Sequence, residues 1–244
     1  MTCELPFLVI NLDRSRDRWK SIENQAKAAG IQLERVPAVD GNAIPDTEWV
    51  NFDRRKFYLC HGRRPIGAEY GCYMSHIHAL QRIVDQNIPY AVILEDDAGI
   101  PQDAMKRLQA IIDSGLRFDV VKLYNHRTKG FVTKAKTSEG DELGRCIHGP
   151  LGSAMGYLVT RDGAVRLLKT LLPMFLPYDI ALERGWKSGV RIYLTRAPVI
   201  WPVHKTASTI GTYQGTKFPR VLRMPTAFFR GYDYVARSIY AFRR

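Results

Sequence analysis

Two continuous apolar runs that break off into polar residues, PFLVIN at 6–11 and YAVILEDD at 90–97, constrain this chain more than any other feature. Apolar at every position and only strand-length, such a run belongs in a sheet covered on both faces, the setting of parallel strands flanked by helices. The first is followed by SRDRWKSIENQAKAAGI, where Ser15 stands as a helix N-cap, Trp19, Ile22, Ala26 and Ala29 recur at helical spacing, and Gly30 stops the helix. LERVPAV then reads as a second strand closed by the Asp40-Gly41 turn. Strand, helix and strand within about thirty residues make a βαβ unit.

The alternation continues to about residue 124. GAEYGCYMSHIHALQRIVDQN predicts a helix with Tyr73, Ile77, Leu80 and Val84 on one stripe, PQDAMKRLQAIIDSG a second helix with Pro101 near its first turn, and FDVVKLY another strand. Beyond it, GFVTKAK through GYLVT predicts shorter strands and turns, RDGAVRLLKTLL and PYDIALERGW two helices, and VRIYLT and PVIW strands. Residues 42–66 predict an irregular connection with one short helix, and together with 126–150 a small cap. The expectation is one α/β domain over 1–216 with a mainly parallel central sheet, followed by a separate segment at 217–244.

A hydrophobic fraction of 45% and a charged fraction of 25% exclude global disorder. The unusual quantity is the net charge of +12, from 36 basic and 24 acidic residues, which predicts an anionic partner: nucleic acid, a membrane surface or a phosphorylated substrate. Cys3, Cys60, Cys72 and Cys146 show no CxxC spacing and read as free thiols of a reducing compartment. A zinc site strung from Cys60, Cys72, His76 and His78 is disfavoured, because His76 and His78 stand two apart on a helix and diverge. The acidic N-terminus does not read as a signal peptide, and no run approaches the ~20 apolar residues of a membrane span. These features predict a cytoplasmic protein.

Glu95, Asp96 and Asp97 are three adjacent carboxylates directly after a buried strand. Such charges repel and are costly to desolvate unless water or a cation accompanies them, so they mark an open turn or a metal site. In open α/β sheets ligands bind beyond the carboxyl ends of strands. If INLDRS and ILEDD share one edge, a diphosphate can bridge them, with Arg14 or Arg18 on its oxygens and a divalent cation on Asp97. Carboxylates suit Mg²⁺ or Mn²⁺. The alternative is that both ends simply begin solvated loops. No GxxxxGK[ST] or GxGxxG loop is present, so phosphates would rest on metal and arginine, which points to a nucleotide-sugar enzyme.

FLVINLDRSRDR, PAVDG, GAEYGCYMSHIHAL and PYAVILEDD occur in the order and near the spacing of glycosyltransferase family 25, the lipooligosaccharide galactosyltransferase-like family, which this chain resembles from about residue 6 to 210. Weaker likenesses are GSAMGYLVTRDGAVRLL, PYDIAL and the STI at 208–210. The resemblance implies a GT-A-like nucleotide-sugar fold, a UDP-sugar donor (often UDP-galactose), inversion at the anomeric carbon, and a lipopolysaccharide or similar glycan acceptor. Carried onto this chain, it puts the acidic motif on Glu95, Asp96 and Asp97, with Asp97 the first choice for the metal. It puts Asn11, Asp13, Arg14 and Arg18 at the nucleotide, and Glu69, Ser75 and His76 in the helix block. Glu69 and His76 either face the donor or anchor the helix. Asp179 in PYDIAL is the candidate base, with Glu183 one turn later as the alternative and a helix-capping role for Asp179 equally open. His204 in WPVHKTAS is the candidate for a late metal or diphosphate contact.

Residues 217–244 carry Lys217 and six arginines against the single acid Asp233, half of the net excess. Arg223, Arg230, Arg237 and Arg244 recur every seven residues, and Phe228, Tyr232, Val235, Ile239 and Phe242 at 4-3-4-3 spacing. A helix from near Pro225 would carry a basic stripe opposite an aromatic one. The favoured expectation is an interfacial helix on an anionic membrane, placing the protein on the inner face of the cytoplasmic membrane. The alternative is a helix docked by its aromatic face. A non-catalytic nucleic-acid-binding or glycan-binding protein is the competing class; the acidic turn would repel nucleic acid, which is therefore not expected as a partner.

Overall fold

The computed structural model describes residues 5–203 and 215–243. In chain order the elements are β1 (Phe7–Asn11), α1 (Arg16–Ala28), β2 (Leu33–Pro37), α2 (Arg54–His61), α3 (Gly67–Asp85), β3 (Tyr90–Glu95), β4 (Ala98–Gly99), α4 (Ala104–Ile112), β5 (Val120–Lys122), β6 (Phe131–Lys136), β7 (Glu142–Cys146), β8 (Gly156–Thr160), α5 (Arg161–Leu171), α6 (Tyr178–Leu182), α7 (Gly185–Ser188), β9 (Ile192–Thr195), β10 (Trp201–Pro202) and α8 (Met224–Phe242).

Eight strands form one sheet in the order β2-β1-β3-β8-β5-β9-β7-β6. β1 lies between β2 and β3, parallel to both, and β5 is parallel to β9. β7 and β8 run against the other six, so the sheet is mainly parallel in strand direction. This is the expected α/β architecture with a mainly parallel central sheet, and it explains the apolar runs. Leu8, Ile10 and Ile93 face a core shared with Tyr73, Ile77 and Leu80 of α3 and Leu167 of α5. Phe7, Val9, Val92 and Leu94 face the opposite core with Ile22 of α1 and Leu108 and Ile111 of α4. Successive side chains of one strand point to opposite faces, so a strand covered by helices on both sides must be apolar throughout.

Two expectations need correction. Residues 42–66 and 126–150 do not make a joint cap: β6 and β7 extend the main sheet at its far edge, while α2 packs against α8. α2 is capped by Asp53, whose Oδ1 accepts from Lys56 N at 2.9 Å, and stops at Gly62 with φ of 74°.

The second concerns the alternative given for the tail, a helix docked by its aromatic face. α8 forms and is docked, but by its polar face: Thr226, Asp233, Arg237 and Ala241 are buried. Phe228, Tyr232, Val235, Ile239 and Phe242 are instead 55% to 75% exposed. The reason is electrostatic. Arg237 pairs with Glu183 at 2.9 Å and Asp233 with Arg184 at 3.0 Å, while the Arg145 guanidinium lies between the Tyr193 and Tyr240 rings, 4.2 and 4.0 Å from their centroids. Such pairs need each other once buried, and they fix which side of the helix turns inward.

Candidate active site

The carboxyl ends of β1, β2 and β3 open into a narrow cleft lined by Arg14, Arg18 and Asp40 together with Cys72, His76, Glu95, Asp96 and Asp97. INLDRS and ILEDD share one edge because β1 neighbours β3. The cleft wall exists because glycines of two sequence blocks touch. A methyl on Gly71 would stand 2.4 Å from Val39 O, and one on Gly41 would overlap the backbone at Gly67. Only glycines let the turn after β2 lie directly on α3.

Within the cleft, Arg18 Nη1 donates to Asp96 Oδ1 at 3.1 Å, Asn11 Nδ2 donates to Asp96 Oδ2 at 2.8 Å, and Arg14 pairs with Asp40. Asn11 also receives Arg35 Nε at 2.9 Å, so this buried amide organises the turn and does not line the cleft. Asp13 is paired with Arg35, has its side chain 86% exposed, and stands outside the cleft.

Asp97 differs from its neighbours. Its Oδ1 is buried without a hydrogen-bond partner among the described residues. Burial, then the charges of Glu95 and Asp96, push its carboxyl up to about 6, against the pull of Arg18. A carboxylate held in that state has the character of a cation ligand, and oxygen donors fit Mg²⁺ or Mn²⁺. Of the carboxylates lining the cleft, Asp97 offers such an ion a buried oxygen with no hydrogen-bond partner among the described residues.

Sequence reasoning missed what stands behind Glu95. Its Oε1 lies 3.2 Å from His76 Nε2 and 3.7 Å from Cys72 Sγ. His76 Nδ1 lies 3.1 Å from Tyr157 OH, which lies 2.8 Å from Tyr178 OH, and the His76 ring stacks on Tyr178 with centroids 4.1 Å apart. One arrangement satisfies every group: Tyr178 donates to Tyr157, Tyr157 to Nδ1, and Nε2–H to Glu95. His76 thus holds Glu95 from α3. Ligand atoms of Cys72, His76 and Glu95 lie within 4.8 Å of one another. Burial, then Glu95, hold the Cys72 thiol well above its usual range, so it stays protonated and is a poor metal ligand. The signal available was the Cys72/His76 spacing of four, which shares a helix face as His76/His78 does not.

A wider cavity of about 820 Å³ lies beyond α3, between α2, α6 and α8, and holds Glu69 and Asp179. Ser75 lines the narrow cleft, where it donates to Gly71 O at 2.6 Å and accepts from Val39 N at 2.8 Å. Asp179 sits in the first turn of α6, whose N-cap is Pro177, and its Oδ1 accepts from Ile180 N at 2.8 Å. Burial, then the charge of Glu183, raise its pKa, opposed by Lys122. Its charge also interacts with Glu95, so it stands near the wall between the clefts.

Glu183 is committed to structure. It pairs with Lys122 at 3.1 Å and Arg237 at 2.9 Å and accepts from Leu151 N and Gly152 N. Burial works to raise its pKa, but those cations and Leu151 N–H hold it lowered. A carboxylate so saturated has no free lone pair for an acceptor hydroxyl, which removes it as a base. His204 lies outside the described residues, as does the STI at 208–210. Val203, just before His204, donates its N–H to Asp97 O at 3.0 Å.

The family model described as Glycosyltransferase family 25 (LPS biosynthesis protein) matches residues 4–182. The chain belongs to glycosyltransferase family 25. A "Glycosyltransferase 25 family member" of Drosophila pseudoobscura pseudoobscura is 27% identical over 228 residues, covering 83% of this chain and 35% of the relative. "Procollagen galactosyltransferase 2" of Homo sapiens is 23% identical over 221 residues, covering 82% of this chain and 35% of that protein. "Procollagen galactosyltransferase 1" of Danio rerio is 27% identical over 223 residues, covering 81% and 36%. The chain therefore spans about a third of the length of the curated relatives it matches. Among solved structures, A197 from STIV has a TM-score of 0.43 at 12% identity over 81% of this chain and 83% of that one, too loose a likeness to locate any residue.

Proposed function

We propose that this family 25 protein is a glycosyltransferase that moves a hexose, galactose first, from a UDP-sugar in the narrow cleft to a glycan hydroxyl in the wide one, with inversion. The observation that carries the reading is the convergence of Arg14, Arg18 and the carboxylates at 95–97, with the orphaned Asp97 Oδ1, at the carboxyl ends of β1 and β3. Arg14 and Arg18 bind diphosphate oxygens, exchanging or sharing their present carboxylate partners. Asp97, supported by Glu95, would hold Mn²⁺ or Mg²⁺, and His204 is a further candidate ligand. The cation, when bound, neutralises charge on the departing diphosphate. Asp179 accepts the acceptor hydroxyl's proton, a task its raised pKa suits. Glu69 shares the wide cavity with it, and His76 positions Glu95.

Isothermal titration of UDP with and without Mn²⁺, alongside turnover of UDP-galactose, tests this. Asp97→Asn is expected to abolish the Mn²⁺-dependent gain in UDP affinity and to lower turnover by about 10² or more. Absence of both UDP binding and turnover with an acceptor overturns it.

The acceptor in this reading is a lipooligosaccharide, lipopolysaccharide or related glycan, in keeping with the description of the matched family. Procollagen, in the names of two relatives, is the competing acceptor, and side-by-side assays of both substrates separate them. A lipid-linked acceptor fits the outer face of α8, which carries an exposed apolar stripe, with exposed Lys217 and Arg220 before the helix and Arg243 at its end. That composition suits a helix lying on anionic lipid at the inner face of the cytoplasmic membrane. No helix among the described residues is long and apolar enough to cross a membrane.

A further inference from the structure

The wide cavity has an electrostatic wall that glycosyl transfer to a neutral sugar leaves unused. Arg127 and Arg230 both line it, and among the described residues neither has a carboxylate partner. Arg230 Nη2 reaches only the His61 carbonyl, at 3.4 Å. Burial, then the charges of Arg63 and Arg223, lower the Arg230 pKa, so like charges are gathered there at a cost.

Beside them is His61, the last residue of α2, which is 7% exposed and lines the same cavity. Its Nε2 is buried and has no hydrogen-bond partner among the described residues. An orphaned buried ring nitrogen beside the Arg230 guanidinium is unfavourable in a closed protein and favourable once an anion arrives.

Two of the three acids that line the cavity, Asp233 and Asp179, do not supply that anion. Asp233 takes three hydrogen bonds from Arg184, at 3.0 to 3.3 Å. Arg237, though it lines the cavity, is spent on Glu183. Asp179 lies beside Ile180 at the start of α6, where the reading above requires it for proton transfer.

We propose that Arg230, Arg127 and the buried His61 bind an anionic substituent, a phosphate ester or carboxylate, carried by the acceptor glycan while its hydroxyl meets Asp179. The inference rests on the wide cavity being the acceptor side of a glycosyltransferase. It makes the acceptor an acidic glycan, selected by the groove between α2 and α8. A site built to bond a charged group rejects analogues lacking it more strongly than an apolar pocket rejects a missing methylene, because its polar groups are then left unpaired.

The test titrates UDP-saturated protein with glucose 6-phosphate, glucuronate and glucose as probes. UDP fills the narrow cleft, so its arginines do not capture the anion. The anionic probes are expected to bind more tightly than glucose, with the stronger of the two telling phosphate from carboxylate. Arg230→Gln is expected to weaken the anionic probes about tenfold or more, as for loss of a charge-assisted bond, with UDP affinity unchanged. Arg127→Gln, at an exposed position, gives a second reading that does not depend on α8 packing. Equal binding of glucose and its phosphate, no binding of either anionic probe, or unchanged affinity in both variants overturns the proposal. Failure to bind UDP overturns the donor reading instead, and the wild-type against Arg230→Gln comparison then still reports on the wide cavity.

Discussion

Arg237 of α8 and Glu183, just after α6, form a 2.9 Å ion pair in which both side chains are buried. Glu183 meanwhile holds Leu151 N and Gly152 N, so the C-terminal helix is tied through one carboxylate to the loop that leads into β8. Removing one partner of a buried pair leaves an uncompensated charge, and Lys122 offsets only part of it. Arg237→Gln is therefore expected to cost about 3 kcal/mol, the lower end for such pairs. Urea denaturation followed by circular dichroism measures this. A chain ended after residue 216 loses both Arg237 and Asp233 and is expected not to fold, so the role of the tail has to be probed by substitution.

The apolar face of α8 offers such substitutions. Phe228, Tyr232 and Ile239 are exposed and take no part in the buried pairs. The triple change Phe228→Ser, Tyr232→Ser, Ile239→Ser is expected to shift stability by little more than about 0.5 kcal/mol per site. It is also expected to abolish co-flotation with phosphatidylglycerol-containing vesicles, while activity on a soluble acceptor persists. Flotation equal to wild type would remove the membrane reading.

These two faces of α8 show where sequence reading stops. Periodicity divides a helix into stripes, and hydrophobicity then gives the apolar stripe to lipid or to the interior and leaves the basic stripe outside. Here the interior is polar because Glu183 and Arg184 wait there, and no local pattern announces partners 54 and 49 residues away. The same holds for Asp13, turned from the cleft by Arg35 on the next strand, and for His76, locked by Tyr157 from 81 residues on. By contrast, the apolar runs at 7–10 and 91–94 carry their own explanation, since a strand buried on both faces has no alternation to hide. The meeting of INLDRS with ILEDD was legible for a related reason: both end parallel strands, and parallel strands place their carboxyl ends on one edge.

The glycine contacts under the narrow cleft are a sharper test of its architecture. Gly71 lies in α3, where alanine would ordinarily favour the helix. Its added methyl would instead stand 2.4 Å from Val39 O and 2.6 Å from Gly41 N, both backbone atoms that cannot swing aside. Gly71→Ala is expected to destabilise by about 1–3 kcal/mol through overpacking and to weaken UDP binding by displacing Asp40 and Arg14. Gly115→Ala is a useful contrast, because its methyl meets nothing within 4 Å and its φ of +72° leaves only backbone strain. Loss of UDP affinity in the first variant but not the second, by titration calorimetry, ties the effect to the cleft wall.

His61 makes the fold sensitive to mild acid. Burial, then Arg63 and Arg230, lower its pKa from 6.5 to about 4. The unfolded chain binds this proton with the higher affinity, so the contribution to stability is fully present above the unfolded value and is lost as pH falls through 6.5 towards 4. Between pH 7 and pH 5 the loss from this one group is about 2 kcal/mol. Other carboxylates and histidines titrate over the same interval, so the quantity to compare is the pH dependence of wild type against His61→Gln, which cannot take up the proton. Urea unfolding at both pH values is expected to show a steeper loss in wild type by about that amount. Adding glucose 6-phosphate should reduce the difference, because an anion beside Arg230 and His61 offsets the repulsion that keeps the imidazole neutral.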